Sequence, residues 1–590
     1  MRTSIATVCL SGGLVEKLHA CADAGFDGVE IMDADLTAAP ESPEEIRALC
    51  ARLGLSIDLF QPLRDIEGVD DDTFADNLRR AEAKFEMMGR LGATLVLVCS
   101  NAGTATIDDD ELAARQLGEL ADRAAAHGIG VAYEALAWGR FVDDYRHAWK
   151  IVEMADRANL GLCLDSFHIL SRGHDLSAIE EIDGEKIMFL QLADAPALDM
   201  DVLSWSRHHR VFPGEGDFPL VRFLGHVLRA DYRGPISLEV FNDTFRQTDA
   251  RRTAAHARRS LTWLGDRTSA ELGWDTFRLA EPQPAQGIDF VEIAGAGLDE
   301  FDEMLGQLGF EFRGRHQSKP VRLWSLGDAR IILNEQRRDT VPCLLAIGLQ
   351  VEDAGIATSR ALALGAPSVF RRTYAGEQEL HAVAAPDGTE FYWNDRAHAA
   401  SWTTEFEGGT DIGHSMGVID HINLGYPWQE FDEAVLFAAS VLSLKTESAA
   451  EVPSPMGLMR SQVMRTDDGV VRVPINLAPP TAPLPDRHIA VRCDDVVGIA
   501  RRARDAGLQL LQIPSNYYDD LSARFELDPA FIAELRELGL LYDRDDAGEF
   551  IHFYTRTVGA VFLEFLERRG AYDGYGAANA AIRLATQTAH

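Results

Sequence analysis

Eight short apolar runs recur through the first 265 residues, and most are followed by a charged segment whose apolar residues return at helical spacing. The runs cover 3–9, 28–32, 56–60, 94–100, 130–134, 161–165, 187–191 and 236–240. Between them lie stretches such as D-E-L-A-A-R-Q-L-G-E-L-A-D-R-A-A-A-H from Asp110. This alternation constrains the fold more than any other feature. A strand that returns parallel to its neighbour needs a crossover of a dozen or more residues, and a helix supplies it. Eight such units in roughly 260 residues have the size and rhythm of an α/β fold, the (β/α)8 TIM barrel.

The rhythm breaks after residue 265. Residues 266–286 end in A-E-P-Q-P-A-Q and read as a proline-rich linker. Beyond it the chain turns to strands and hairpin-like turns, and it repeats itself. Residues 351–366 lie on 493–508 without gaps, 287–294 lie on 417–425 with a one-residue shift, and 385–394 parallel 557–565. The expected second domain, 287–585, therefore has an α+β character. It holds about four β-rich modules, paired as 287–400 and 415–570.

The formal net charge of -37 repels phosphate backbones and anionic lipid, so no nucleic acid and no membrane partner is expected. That charge also argues against a DNA-repair nuclease. The seven cysteines are scattered and form no C-x-x-C pair, which argues against a disulfide framework and against a thiolate metal site. With no leader-like N-terminus and no apolar run of about 18 residues, a cytoplasmic protein is expected. Self-association into a homo-oligomer stays open.

Functional groups of such barrels collect at the C-terminal ends of the strands. Runs five to eight end at or beside Glu134, Asp165, Gln191 and Glu239, all oxygen donors. Each alone could be a polar strand end facing solvent. Four on one rim would repel one another unless a cation neutralised them, and oxygen donors suit Mg²⁺, Mn²⁺ or Co²⁺. His168 lies one short turn beyond Asp165. It is placed either to move protons in the same space or simply to begin a helix.

The strings F-Q-P-L-R-D-I-E-G (60–68), Y-E-A-L (133–136), L-D-S-F-H (164–168), L-Q-L-A-D (190–194), R-H-H-R-V-F-P-G-E-G-D-F (207–218) and S-L-E-V-F-N-D (237–243) carry a resemblance. The first 265 residues resemble the xylose-isomerase-like metal barrels and, more closely, the 3-dehydroshikimate dehydratases of quinate and shikimate breakdown. The resemblance implies metal-dependent loss of water from 3-dehydroshikimate to give protocatechuate by way of a stabilised enolate. In that chemistry Glu134, Asp165, Gln191 and Glu239 hold the metal, His168 transfers a proton, and Glu134 or Glu239 shares the proton traffic. Arg64 and Arg210 are the candidates to grip the substrate carboxylate, since a guanidinium can do so with two bonds; either could instead be a surface ion-pair partner. A sugar or keto-acid isomerase or epimerase is the alternative, because it also enolises a substrate at a metal.

In the later repeat pair His421, His488 and Glu564 sit in strand-like runs, and two imidazoles with one carboxylate form a facial triad. The triad suits Fe(II), and Mg²⁺ is the other candidate. The aligned positions of the earlier pair are Phe290, Ala346 and Trp393, none a metal donor. The motifs I-D-H-I (419–422), Y-Y-D-D-L (517–521), F-L-E-F-L-E-R-R-G (562–570) and G-Y-G-A-A-N (574–579) make this half resemble 4-hydroxyphenylpyruvate dioxygenase, a vicinal-oxygen-chelate fold of βαβββ modules. Two departures stand out: 474–488 is short and proline-rich, and Arg487 precedes His488 where the family has Gln. The resemblance therefore implies a metal site without the usual hydroxyphenylpyruvate activity. An active arylpyruvate dioxygenase and a structural or oligomerisation module are the two alternatives.

Overall fold

In the computed structural model, which describes residues 2–337, 340–398, 401–408, 417–479 and 486–588, the chain divides into two units, Met1–Arg278 and Leu279–His590. In the first, the eight runs form strands β1 (Thr3–Ala6), β2 (Gly28–Met32), β3 (Ser56–Leu63), β4 (Leu95–Cys99), β5 (Gly130–Glu134), β6 (Leu160–Asp165), β7 (Ile187–Leu192) and β8 (Ile236–Leu238). All pair in parallel in chain order, and Thr3↔Ile236 closes the barrel. The barrel interior is filled by Leu59, Leu97, Cys99, Ala132, Cys163 and Phe189, so the site above rests on a packed floor.

Two boundaries differ from the sequence reading. The strand β1 stops at Ala6, and Thr7–Cys9 form a 3-10 turn. The expected linker 266–286 is partly helix: Ala250–Leu272 runs on because Leu261, Leu264, Thr268 and Leu272 continue the buried or half-buried stripe. Gly273, in the left-handed region at φ 67°, ends it. The irregular connection is therefore 273–286.

The second unit contains two sheets of matching order. The first runs β10 (Glu311–Arg315), β11 (Val321–Leu326), β12 (Ala329–Asn334), β9 (Gly287–Ala294), β13 (Cys343–Val351), β15 (Glu390–Asp395) and β14 (His381–Ala384). The second runs β17 (Lys445–Ser454), β18 (Gly457–Arg465), β19 (Arg472–Leu477), β16 (Gly417–Tyr426), β20 (Arg487–Cys493), β23 (Val561–Gly570), β22 (Gly548–Tyr554) and β21 (Leu541–Arg544). A helix follows each of β9, β13, β16 and β20, which gives four modules, three with three strands after the helical segment and one, from β13, with two. Of the proline-rich stretch 474–488, residues 480–485 lie outside the described residues.

Register corrects one aligned position. His421 pairs across to Ala490, and Ala490 to Glu564; in the first sheet Phe290 pairs to Gly348, and Gly348 to Tyr392. The counterpart of Glu564 is Tyr392, one residue before Trp393. A slip of one residue moves a side chain to the opposite face, so the distinction matters. The pairing of β13 with β15 and of β20 with β23 is regular through these positions, so the count is unambiguous.

Candidate functional site

Four oxygen donors meet at one end of the barrel. Glu134 and Asp165 close their strands, Gln191 is next to last in β7, and Glu239 follows β8 by one residue, its N–H donating to Leu192 O at 3.0 Å. All four are buried. Asp165 divides its labour: Oδ1 accepts from Phe167 N at 2.6 Å and caps the short helix Ser166–Leu170, while Oδ2 accepts from Arg210 Nη1 at 2.8 Å. Arg210 is 1% exposed and also donates to Glu239 Oε2 at 3.3 Å and Ser206 Oγ at 2.9 Å. It thus serves as counter-ion to the ring.

The electrostatics follow from burial. Burial drives Glu134 well above the carboxylate range, with Asp165 and Glu239 adding to the rise; burial likewise pushes Glu239 up to about 7. Asp165 is equally buried, yet the Arg210 guanidinium overrides that and holds it low. Glu134 Oε1 is buried with no hydrogen-bond partner among the described residues.

A fifth acid, Glu30 in β2, organises the ring from behind. Its Oε2 accepts from Gln191 Nε2 at 2.6 Å and Gln61 Nε2 at 2.8 Å, and its Oε1 accepts from Ser237 Oγ. With its nitrogen committed to Glu30, Gln191 has Oε1 left as its donor atom. An orphaned carboxylate oxygen, a carbonyl oxygen and two further acids are what a hard divalent cation takes as ligands, so the donor set fits one.

His168 is 3% exposed and stands beside the ring, its Nε2 3.8 Å from Glu134 Oε1 and 3.9 Å from Asp165 Oδ2. Its Nδ1 accepts the Ala137 N–H at 3.0 Å, and Trp138 packs against the ring edge at 5.0 Å between centroids. Burial pushes its pKa down to about 3, so the imidazole is neutral. Arg64 is exposed, and among the described residues it forms no bond to a carboxylate. Arg207, half-buried against Trp138 and Phe241, is the same in that respect. Burial and the positive charges of Arg64 and Arg210 lower the Arg207 pKa.

The second unit brings His421, His488 and Glu564 together, as the sequence predicts. Glu564 Oε2 lies 3.2 Å from His421 Nε2 and 3.1 Å from His488 Nε2. The surrounding shell points both ligand atoms inward. Asp420 takes the His421 Nδ1–H at 2.9 Å and is itself gripped by Arg568 at 2.8 and 2.9 Å. Asn579 donates to His552 Nε2 at 3.0 Å, so His552 Nδ1–H donates to Glu564 Oε1 at 2.7 Å and leaves Oε2 for the triad. This carboxylate–histidine pattern accompanies metal sites, and the residues fit a divalent ion. Burial would raise Glu564, but the three histidines hold it well below its ordinary value. A cavity of about 290 Å³ opens on the triad, lined also by Asn423, Asn476, Tyr575 and Arg583.

His316, Glu377 and Glu405 form a third cluster whose chemistry does not fit a metal. His316 Nδ1 accepts the Ser318 N–H at 3.1 Å, so the ring proton is on Nε2, where it donates to Glu405 at 2.9 Å. Lys319 already pairs with Glu377 at 2.8 Å. The cluster ties the 3-10 turn Ser401–Glu405 to the segments that carry His316 and Glu377.

Comparison with known proteins then decides the family. Residues 18–266 match the xylose isomerase-like TIM barrel model, and 279–407 match the hydroxyphenylpyruvate dioxygenase N-terminal model. The 3-dehydroshikimate dehydratase of Pseudomonas aeruginosa is 43% identical over 99% of this chain and 98% of its own length. The chain belongs to the 3-dehydroshikimate dehydratase family. A solved xylose isomerase-like TIM barrel/4-hydroxyphenylpyruvate dioxygenase fusion protein covers 100% of both chains at 40% identity with a TM-score of 0.88. The 4-hydroxyphenylpyruvate dioxygenase of Pseudomonas aeruginosa matches 50% of this chain at 26% identity.

For this member of the dehydratase family, sequence reasoning reached the ring and the triad but missed their supports. Glu30 was legible as an acid inside the apolar run G-V-E-I-M, and His552 as a histidine inside F-I-H-F-Y. Arg207 left no comparable signal, since the arginine that opens R-H-H-R looks like surface. Among the described residues, no helix is long and apolar enough to cross a membrane.

Proposed function

We propose that the barrel unit dehydrates 3-dehydroshikimate to protocatechuate at a divalent ion held by Glu134, Asp165, Gln191 and Glu239. The observation that carries this reading is the buried ring of oxygen donors, capped by His168, in a chain that matches the Pseudomonas aeruginosa dehydratase end to end. Mg²⁺, Mn²⁺ and Co²⁺ all suit these ligands. The chemistry such an ion supplies is Lewis-acid polarisation of the substrate ketone, which makes the α-proton removable. Arg64 and Arg207, lacking carboxylates of their own, bind the substrate carboxylate. Arg210 balances Asp165 and Glu239 and keeps the ring from repelling itself apart. Phe167, Trp138 and Phe241 surround the guanidinium and imidazole groups with apolar surface and keep water from competing for them. His168 presents Nε2 to the reacting atoms.

The second unit holds a second divalent ion, Fe(II) or Mg²⁺, on His421, His488 and Glu564. The cavity beside the triad favours a ligand-binding role over a purely structural one. Oxygen uptake with an arylpyruvate would establish dioxygenase activity, and its absence leaves a metal-stabilised module.

The deciding assay supplies 3-dehydroshikimate to the metal-loaded protein and follows aromatic absorbance. The reading expects a rise that a chelator abolishes. A metal-loaded, folded protein that yields no aromatic product refutes it, and a ketose or epimer formed instead would establish the isomerase alternative.

A further inference from the structure

We propose that the cavity beside His421, His488 and Glu564 binds a single-ring hydroxybenzoate, and that Arg583 grips its carboxylate. The inference rests on the reading of the second unit as metal-loaded and names the ligand class of that site. Its basis is a buried charge that no acid answers. Arg583, in the last helix Ala577–Thr588, is 5% exposed and lines the cavity. Its partners are neutral. Nη1 donates to Gln587 Oε1 at 2.7 Å, the Tyr554 hydroxyl lies beside it, and the guanidinium stands over the Tyr554 and Phe562 rings at 5.7 and 5.6 Å. Among the described residues no carboxylate lies within ion-pair range of it. Ring faces soften a charge without neutralising it, and a cation withdrawn from water is costly until it is paired.

The acids of the cavity wall are already engaged. Glu447 meets Arg465 at 3.0 Å, Asp543 accepts from the Tyr572 hydroxyl at 2.7 Å, and Glu564 lies among three histidines. The charge count then gives the ligand its sign. A divalent ion on two neutral imidazoles and one carboxylate leaves a centre of one positive charge, and Arg583 adds another to the same wall. An anion answers both, and a guanidinium matches a carboxylate with two bonds.

The remaining walls give the ligand its body. Val452, Met459, Val463 and Pro474 supply apolar surface, which covers a ring and offers nothing to an inorganic anion. The volume of about 290 Å³ is at the small end of ligand cavities, roughly 300–1,000 Å³, and suits one ring. Asn476 asks for a hydroxyl: its Nδ2 donates to Asn423 Oδ1 at 2.7 Å, while its Oδ1 is buried with no partner among the described residues. Protocatechuate, one ring with a carboxylate and two hydroxyls, has each of these features. It is also the product proposed above for the barrel, so the second unit is a receptor for what the first one makes.

The test is a calorimetric titration of the full chain carrying Asp165→Asn, which removes the barrel ion, loaded with Mg²⁺. The two titrants are protocatechuate and catechol, which lacks only the carboxylate. Protocatechuate should bind at least about tenfold more tightly than catechol. Adding Arg583→Gln should weaken protocatechuate about 10- to 100-fold and leave catechol within about twofold, since only one of them offers a carboxylate to lose. Arg583→Lys serves if the Gln variant does not fold; it keeps the charge without the fork and should weaken protocatechuate about 3- to 10-fold, with catechol again unchanged. No binding of protocatechuate, equal affinity for the two titrants, or a substitution that weakens both alike overturns the proposal. Metal analysis of the same samples separates the failures. A triad that holds its ion and ignores the carboxylate overturns this proposal, whereas a triad that takes up no ion overturns the reading on which it rests.

Discussion

Glu30 offers the sharpest test of how the ring is built, because its two nearest substitutes should behave differently. Its Oε2 accepts two amides, Gln61 at 2.8 Å and Gln191 at 2.6 Å, while Oε1 meets only the Ser237 hydroxyl. In Glu30→Gln the carbonyl can take the Oε2 position and keep both amides. The new NH₂ then faces a hydroxyl, which can rotate to accept. In Glu30→Ala both amides lose their acceptor, and each buried donor left unpaired costs about 1–3 kcal/mol. Gln191 is then free to turn its nitrogen toward the cation. Loss of such an outer partner typically lowers metal affinity about 10- to 100-fold, or about 1.4–2.7 kcal/mol. Competition with a chelating dye reads that affinity, and the thermal midpoint reports stability separately. We expect Glu30→Ala to lose about 10- to 100-fold in barrel metal affinity and Glu30→Gln to lose less than about tenfold. A folded Glu30→Ala variant with unchanged affinity and turnover would show that Gln191 needs no orienting partner, and the reasoning would fail.

Three other outcomes follow from the same geometry. Arg64→Ala and Arg207→Ala should each raise KM about 10- to 100-fold with a smaller effect on kcat, since a charged hydrogen bond is worth about 1.5–3 kcal/mol; an unchanged KM in both would remove them from the carboxylate site. Burial places Glu239 at about 7, against an ordinary value of 4.5. The folded metal-free protein thus keeps a proton that the unfolded chain sheds near 4.5, so its stability should fall as pH rises from about 4.5 to about 7. Metal binding should release that proton, so apparent affinity should climb over the same window; calorimetry in buffers of different ionisation enthalpy counts the proton, and a flat profile contradicts the assignment. His552→Ala frees Glu564 Oε1 and should weaken the second metal site about 10- to 100-fold while dehydration is unchanged, as paired metal titrations and turnover would show.

Much of this was legible in the sequence because a charge inside an apolar run is costly unless something answers it. Asp165 in L-G-L-C-L-D and Glu134 in G-V-A-Y-E betray themselves that way, and so do His421 and Glu564. Glu30 carries the same mark in G-V-E-I-M, but its partner Gln191 is 161 residues away, and only closure of the barrel brings β2 against the end of β7. Arg210 was visible as a cation near the site. That its guanidinium lies within the ring, and that Arg207 stands beside Arg64, depends on how one loop folds back over the barrel. The match of Glu564 to Tyr392 turns on which residues pair across neighbouring strands, a backbone fact to which no residue type is tied. His168 is met by one peptide N–H from Ala137, thirty-one residues earlier, and side-chain chemistry alone gives no hint of it.

The central claim is that the two units hold separate ions and that only the barrel ion serves dehydration. Metal content and turnover of 3-dehydroshikimate, measured together on the unsubstituted protein, on Asp165→Asn and on Glu564→Gln, test it most directly. The account predicts two ions per chain in the first. It predicts one ion and no aromatic product in Asp165→Asn, and one ion with undiminished product in Glu564→Gln. Dehydration that survives Asp165→Asn, or disappears with Glu564→Gln while the barrel ion stays bound, would contradict it.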